Sequence, residues 1–227
     1  MRYAYDIIKR RKHVLRYDML PEEMPKKELI EQILKDAHDL TPSKQNVMPY
    51  NVNVLGPNKF EEKQIVYNQV IKNHYKMEDD ALAEGKLDKE TYWKKINPYY
   101  YHIKENPYLL VISQRLHKNV NEYYKKEVVM GHYMEQCDND RVKKGSDIDA
   151  VAVEVGLFAA NLTACAMEYE VDVSYTICFS RKMEDWIELP WIEYRPVLLI
   201  SMGHALKYRG IKPGDTKTPF DEIVKWQ

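Results

Sequence analysis

The chain has 227 residues, a length typical of one globular domain. Its 34 basic and 35 acidic residues give a formal net charge of -1, which argues against a general attraction to nucleic acid or to an anionic membrane. The three cysteines form no CxxC pair, which argues against a disulfide framework or a structural zinc site and favours a reducing compartment. The N-terminus lacks the apolar run of a signal peptide, so we expect a cytoplasmic protein.

Helices and strands alternate along the chain. In order, the hydrophobic pattern predicts a helix over 2–11, an amphipathic helix over 26–39, a strand over 51–55, a helix over 60–75, a buried strand over 108–113, a helix over 119–136, a long apolar helix over 147–169, strands over 172–179 and 197–201, and a last apolar segment over 220–226. Residues 76–105 break into short charged turns of helix, which we interpret as a surface excursion. The order predicts an α/β or α+β fold, in which helices wrap a central sheet, in a single domain spanning 1–227.

The long apolar helix predicted over 147–169 has two distinctive features. It carries Glu154, Asn161 and Thr163, which would lie in hydrocarbon if the helix crossed a membrane, so we expect a helix buried in a soluble protein. It is also rich in alanine and contains Gly156, and such small residues let another helix approach closely. This surface favours either pairing with a second subunit or close packing inside one chain.

Common catalytic and metal-binding signatures are missing from the sequence. It contains no GxGxxG, GxxxxGK or GxSxG motif, so a bound phosphate would depend on side-chain cations rather than on a glycine loop. Two sets of residues have the chemistry of metal ligands, namely His132 with Glu135 and Asp36 with His38 and Asp39. Both sets are more typical of solvated helix faces, so we expect no metal site.

Two polar stretches are more distinctive, although each alone fits an ordinary surface. Residues 10–13 form the basic run RRKH, followed by Arg16. Residues 41–50, TPSKQNVMPY, lead from an amphipathic helix into a strand and offer exposed donors and acceptors. A solvated charge run and a plain loop are the simpler interpretations of these two stretches.

Four segments in sequence order resemble the motifs of a known family. RKHVLRY begins at Arg11, TPSKQNVMPY at Thr41, RPVLLISMG at Arg195 and KTPFDEIV at Lys217. They are similar to the RRSxRxF, APSSxNxQPW, RPxxLxxxG and RxPLEEVV patterns of the flavin-dependent nitroreductase family. Each motif is weak alone, but together they cover most of the chain in the right order, with residues 60–105 the weakest part.

The resemblance implies an α+β fold with a central mixed or antiparallel sheet wrapped by helices. It also implies an intertwined homodimer that binds FMN at the subunit interface. The positions that match the family's cofactor-binding residues are Arg11, Lys12, His13, Pro42, Ser43, Lys44, Asn46, Thr176, Ile177, Cys178 and Lys217.

Each group of these positions has an implied role. Residues 11–13 would contact the FMN phosphate and ribityl chain, since a phosphate needs fixed cations, and Lys217 would close the same site. The loop at 42–46 would reach the flavin from the partner subunit. Backbone N–H groups within 176–178 would meet the flavin N5 edge. No catalytic side chain is implied, because the flavin carries the chemistry.

Some positions depart from the family's pattern. Leu15 stands where the family has a third cation near the flavin, which should make flavin reduction harder, unless Arg16 supplies that charge in a register shifted by one residue. His13 replaces a serine, Tyr50 replaces the usual tryptophan, and residues 175–179 contain no glycine.

The resemblance implies an FMN-dependent oxidoreductase. NAD(P)H would reduce the flavin, leave, and be replaced by an electron-poor acceptor such as a nitroaromatic or quinone, giving ping-pong kinetics. The excursion at 76–105 would cover the flavin and select the substrate. Alternatives are reductive dehalogenation, flavin fragmentation, or FMN binding without catalysis. A nucleic-acid module built on the basic N-terminus is disfavoured, because acidic residues are interleaved with the Lys and Tyr residues.

Overall fold

The computed structural model describes most of the chain in seven pieces. These pieces are residues 6, 8–43, 48–96, 101–115, 150–180, 183–209 and 218–225. Their elements are, in order, β1 (Val14–Tyr17), α1 (Lys27–Leu40), β2 (Tyr50–Leu55), α2 (Phe60–Ala83), α3 (Lys89–Ile96), α4 (Tyr101–Lys104), β3 (Tyr108–Gln114), α5 (Ala150–Glu168), β4 (Asp172–Thr176), a 3-10 helix (Met183–Trp186), β5 (Pro196–Gly203), β6 (Ala205–Tyr208) and α6 (Phe220–Ile223).

The central sheet has four antiparallel strands in the order β2-β3-β5-β4. Strand β3 is buried along its whole length, which explains its unbroken apolar sequence. Successive side chains of a strand point to opposite faces, so Leu110 and Ile112 join one core cluster while Leu109 and Val111 join the other. The fold is therefore α+β, with a core on each face of the sheet.

One core lies between the sheet and two helices. Ile30, Ile33 and Ala37 recur at helical spacing on α1 and pack in the same cluster as Phe158 and Leu162 of α5. The other core lies under α2 and the 3-10 helix, where Trp186 is almost completely buried. Burial of such side chains stabilises the fold by about 1.5–3 kcal/mol each.

A second, two-stranded sheet joins the two ends of the chain. Strand β1 pairs antiparallel with β6, and the Tyr17 hydroxyl donates a 2.8 Å hydrogen bond to the carbonyl of Ser201 in β5. Gly203 ends β5 where space is tightest, since a Cβ there would lie 2.7 Å from the Pro107 ring. The final glycine of the RPVLLISMG segment is thus required by packing.

Several predicted boundaries differ from the observed ones. Helix α2 continues to Ala83 rather than ending at 75, so the first part of the predicted excursion belongs to that helix. Strand β4 ends at Thr176 rather than at 179, and the short strands β1 and β6 were not predicted. In the predicted helix over 2–11, residues 6, 8 and 9 are helical but Arg11 is not. The predicted helix over 119–136 lies outside the described residues.

Helix α5 is buried on one face only. Residues Val151–Glu168 are long and apolar enough to cross a membrane by length and composition, but 56% of this window is buried inside the fold, as in the core helix of a soluble protein. On the opposite face, Val153 and Leu157 are 51% and 43% exposed. The expectation of a buried helix therefore holds for one side of α5, and the other side is apolar and uncovered in the single chain.

Candidate functional site

The basic segment, residues 11–13, leads directly into β1. Because β1 pairs with β6, the segment lies beside the end of β6, where the backbone N–H of Arg209 donates a 2.7 Å hydrogen bond to the carbonyl of His13. Arg11, Lys12 and Arg209 are all exposed. Pairing between the chain ends thus gathers cations from both ends at one place.

Two of these cations lie near aromatic rings. The Arg11 guanidinium is 5.4 Å from the centre of the Tyr175 ring, and Nζ of Lys12 is 5.1 Å from that of Tyr208. Contacts of this kind stabilise a cation by about 0.5–1 kcal/mol at exposed sites. They restrict where the two side chains lie while leaving their N–H groups accessible to an anion.

His13 is half-buried among these charges. Burial, followed by the nearby Arg209 and Arg11, lowers the pKa of its imidazole below the ordinary value of 6.5. At neutral pH His13 is therefore an uncharged hydrogen-bonding group rather than another cation. The positive charge of the segment resides on Arg11 and Lys12.

Ser174 connects the basic segment to β4. The N–H of Val14 donates a 2.9 Å hydrogen bond to Oγ of Ser174, and that hydroxyl lies 3.3 Å from the carbonyl of Val14. Next in sequence, Tyr175 donates a 3.0 Å hydrogen bond to the carbonyl of Ala159, and burial raises its pKa to about 12. These contacts place residues 11–13 beside the end of β4, although the two segments are far apart in the sequence.

The chain leaves the sheet just after Thr176. Thr176 itself is buried, whereas Ile177 is 60% exposed and Cys178 is also exposed. A turn follows, in which the N–H of Phe179 donates a 3.1 Å hydrogen bond to the carbonyl of Ile177. Residues 177–178 are therefore exposed, directly after the end of β4, where Tyr175 lies near Arg11.

The loop that follows α1 is attached to α5. Ser43 donates a 2.6 Å hydrogen bond to Glu154, and the N–H of Met48 donates one of 2.9 Å to the Ser43 hydroxyl. Asn161 donates a 3.1 Å hydrogen bond to the carbonyl of Leu40. Pro42 is exposed beside Ser43. The predicted site residues Lys44, Asn46 and Lys217 lie outside the described residues.

A cavity of about 380 Å³ opens between the basic segment and α5. Ile8, Arg11 and Tyr175 line one side, and Leu198 lines the other with four residues of α5, namely Gly156, Ala159, Ala160 and Thr163. Its volume lies within the range of about 300–1,000 Å³ that is typical of ligand pockets. The described residues include no group of three metal-ligating side chains.

Three solved structures resemble this one over nearly its whole length. A nitroreductase with bound FMN from Desulfitobacterium hafniense DCB-2 is 17% identical, with a TM-score of 0.60, covering 100% of this chain and 99% of that chain. Oxidized iodotyrosine deiodinase, bound to FMN and 3-iodo-L-tyrosine, is 17% identical, with a TM-score of 0.61 and coverages of 99% and 98%. NfrA1 of B. megaterium is 14% identical, with a TM-score of 0.64 and coverages of 99% and 74%. The chain has the nitroreductase fold.

The similarity to nitroreductases is found by comparing structures. No protein-family model and no curated protein matches the sequence. Within its nitroreductase fold, the chain places residues 11–13 near the end of β4, through Val14 with Ser174 and Arg11 with Tyr175, and attaches the loop at Ser43 to α5. His13 is linked to Thr176 through His102. Leu15, at the departure from the family's pattern, is half-buried in β1, while Arg16 is exposed.

The sequence patterns did not identify two residues of this site, Arg209 and His102. Arg209 is recognised only once β1 and β6 are seen to pair, although a basic residue following the RPVLLISMG segment is a weak signal. His102 lies in the segment interpreted as a surface excursion, yet it is almost completely buried beneath Thr176. No local pattern in the sequence distinguishes it from an exposed histidine.

Proposed function

We propose that the protein is an FMN-dependent oxidoreductase that uses NAD(P)H to reduce an electron-poor acceptor such as a nitroaromatic or a quinone. The nitroreductase fold and the FMN bound in two of the similar structures support this proposal. We propose further that the protein is a cytoplasmic homodimer and that residues 1–227 form one FMN-binding domain.

The observation that carries the proposal is the hydrogen bonding of Val14, the residue directly after the basic segment, to Ser174 of β4. Arg11 and Lys12 lie shortly before Val14 in the chain, and the exposed residues 177–178 directly follow β4, whose Tyr175 ring lies near Arg11. A molecule with a phosphate at one end and a planar polar ring at the other needs both features within its own length. The cavity beside Arg11 and Tyr175 has a suitable volume for such a ligand.

In this proposal each described residue of the site has a role in binding FMN. Arg11 and Lys12, with Arg209, would bind the phosphate through charge-assisted hydrogen bonds. Neutral His13 would hydrogen-bond the ribityl chain, and backbone N–H groups of residues 176–178 would orient the N5 edge. FMN, when bound, supplies hydride transfer, so the protein's own contribution is to bind, orient and exclude water.

The remaining predicted contacts belong to the same proposal. Pro42 and Ser43, with Lys44 and Asn46, would reach the cofactor of the partner subunit, and Lys217 would complete the phosphate site. The exposed apolar side of α5 supports pairing of subunits. A Cβ at Gly156 would meet nothing within 4 Å, so packing inside the single chain does not require glycine there.

The test is an absorption spectrum of the purified protein before and after anaerobic addition of NADH or NADPH. We expect a flavin spectrum that bleaches, and parallel lines in double-reciprocal plots with a nitroaromatic acceptor. A protein that neither carries FMN nor takes it up would contradict the proposal. A flavin that NAD(P)H does not bleach would favour a binding function without this activity, and Leu15 would be the first position to change.

A second candidate function is reductive dehalogenation of a halogenated aromatic amino acid. It is favoured by the likeness to iodotyrosine deiodinase, which covers 99% of this chain. The segment 76–105, proposed to choose the substrate, begins within α2 and includes α3 and α4. Turnover of 3-iodo-L-tyrosine compared with turnover of a nitroarene, both with chemically reduced protein, separates the two functions. Exchange of this segment should change the preferred substrate.

A further inference from the structure

His102 is a buried histidine that belongs to neither predicted flavin-binding segment. It lies on the short helix α4 and is only 1% exposed. Its Nε2 is 3.2 Å from Oγ1 of Thr176, within hydrogen-bonding distance. This contact attaches α4 to the last residue of β4, immediately before the exposed residues 177–178.

The same imidazole also contacts the basic segment. The rings of His102 and His13 meet edge to face, with centroids 5.4 Å apart and an interplanar angle of 76°. One side chain therefore touches both segments that would hold the cofactor, the basic segment on one side and the end of β4 on the other. A second route between these segments, through Ser174, uses the backbone of Val14.

A chain of buried hydrogen bonds holds His102 in place. The Asn106 amide donates to the carbonyls of His102 and Ile103, at 2.8 and 2.7 Å. Lys63 of α2, which is completely buried, donates to the carbonyls of Asn106 and Pro107, at 2.6 and 3.0 Å. Burying polar groups costs free energy unless they are hydrogen-bonded, and an apolar side chain would fill this space at lower cost. This polar chain attaches α4 and the turn after it to α2, and the contact between His102 and Thr176 attaches α4 to β4.

We propose that His102 is a positioning residue that sets the spacing between the basic segment and the end of β4, and thereby the affinity and the reduction potential of the bound flavin. This inference rests on the proposed function. The phosphate and the isoalloxazine ring belong to one molecule, so the groups that bind them must lie a fixed distance apart. Displacement of a bound group by 1 Å can cost about 100-fold in rate. His102 acts here through Thr176 and His13, without touching the flavin.

The test compares His102→Leu with His102→Gln. A glutamine amide can place a nitrogen near the position of Nε2 and keep the hydrogen bond to Thr176, whereas leucine fills the space and cannot bond. The readouts are the FMN dissociation constant, from quenching of flavin fluorescence, and the midpoint potential of the bound flavin. We expect His102→Leu to weaken FMN binding at least 10-fold and to shift the potential, and His102→Gln to stay within about threefold of the unaltered protein.

Two further variants separate positioning from stability. Ile103→Val removes one buried methyl group from the same helix and should lower the thermal unfolding temperature while leaving the FMN dissociation constant unchanged. Thr176→Val removes the partner hydroxyl from the other side, so it tests the same contact even where His102→Leu does not fold. The double variant His102→Leu/Thr176→Val should bind FMN no more weakly than the worse of the two single variants.

The outcomes distinguish this inference from the proposed function. An unaltered protein that does not bind FMN overturns both. FMN binding and potential that stay unchanged in His102→Leu, whatever its thermal stability, overturn the positioning role alone and leave the proposed function standing. A folded His102→Gln variant with the full loss seen in His102→Leu would overturn the role of the contact with Thr176.

Discussion

The hydroxyl of Ser43 donates a 2.6 Å hydrogen bond to Oε2 of Glu154 and at the same time accepts one from the N–H of Met48. Ser43 and Glu154 are 111 residues apart in the sequence. The serine thus closes its own loop and attaches that loop to α5. Met48 has a φ of 45°, in the left-handed region that a non-glycine residue adopts at a cost, so the loop depends on such contacts.

Substitution of this serine should loosen the loop. Ser43→Ala removes both hydrogen bonds, and we expect the free energy of unfolding to fall by about 1–3 kcal/mol, since one of the bonds involves a largely buried carboxyl group. Urea denaturation of the unaltered and variant proteins measures this difference. Thr218→Ala, at an exposed residue, is the control and should stay within about 0.5 kcal/mol. Equal stability of the two variants would show that the contact contributes nothing.

The cations of Arg11, Lys12 and Arg209 should affect only the binding of the cofactor's phosphate. Arg11→Ala removes a charged hydrogen bond, so we expect FMN to bind more weakly by about 1.5–3 kcal/mol, or about 10- to 150-fold. Riboflavin, which lacks the phosphate, should bind the variant and the unaltered protein equally. Lys27→Ala, at an exposed lysine of α1 that pairs with Glu31, is the charge-matched control. A similar loss for both ligands would mean that Arg11 acts on the ring site or on the fold.

Gly156 offers a test of subunit pairing. Because a Cβ at this position meets nothing in the single chain, Gly156→Leu should leave the monomer folded, and removing a glycine from the helix interior favours the helix by up to about 1 kcal/mol. In a dimer with closely packed α5 helices, the same side chain would keep the subunits apart, and since Gly156 also lines the cavity beside Arg11, it would reduce the space for FMN there. Sedimentation velocity should show a dimer for the unaltered protein and a monomer for the variant.

The control for this experiment is Lys35→Leu, which adds an apolar side chain to an exposed position of α1. It should leave the sedimentation coefficient unchanged. If Gly156→Leu also remains a dimer, the subunits do not pair through this side of α5.

Burial of Lys63 should give the fold a characteristic pH dependence. Burial lowers the pKa of this lysine from 10.5 to about 8 in the folded chain. Between pH 8 and 9.5 the unfolded chain therefore keeps a proton that the folded chain has lost, so the contribution of Lys63 to the free energy of unfolding rises with pH. The free energy of unfolding of the unaltered protein, minus that of Lys63→Met, should therefore rise by about 1–2 kcal/mol across this window.

Urea denaturation at a series of pH values measures that difference. Lys35→Met, at an exposed lysine, is the matched control and should give a difference that does not vary with pH. Parallel pH profiles for the unaltered protein and Lys63→Met would show that the buried ammonium keeps its proton, held by the carbonyls of Asn106 and Pro107.

The elements that sequence reasoning predicted well are those whose burial leaves a strong pattern. Helix α1 spans Lys27–Leu40 against a predicted 26–39, because one side of it packs on the core and the other is solvated. Strand β3 spans Tyr108–Gln114 against a predicted 108–113, because both of its faces are covered. The basic segment and the Ser43 loop were also singled out from the sequence.

The remaining features depend on contacts between distant residues. Strands β1 and β6 have four residues each, too few for periodicity to stand out, and each is defined by its partner. Arg209 joins the basic segment only because of that pairing. The continuation of α2 to Ala83 runs through a strongly charged stretch, which leaves little apolar pattern to follow.

The pairing of β1 with β6 also governs when the proposed site can come into being. The Tyr17 hydroxyl reaches the Ser201 carbonyl across 184 residues of sequence, and Arg209 lies further on still. During synthesis the basic segment leaves the ribosome well before these partners do. The cations of Arg11, Lys12 and Arg209 therefore come together only in a nascent chain that already includes β6 and Arg209, so the phosphate half of the proposed site is completed long after its first residues have been made.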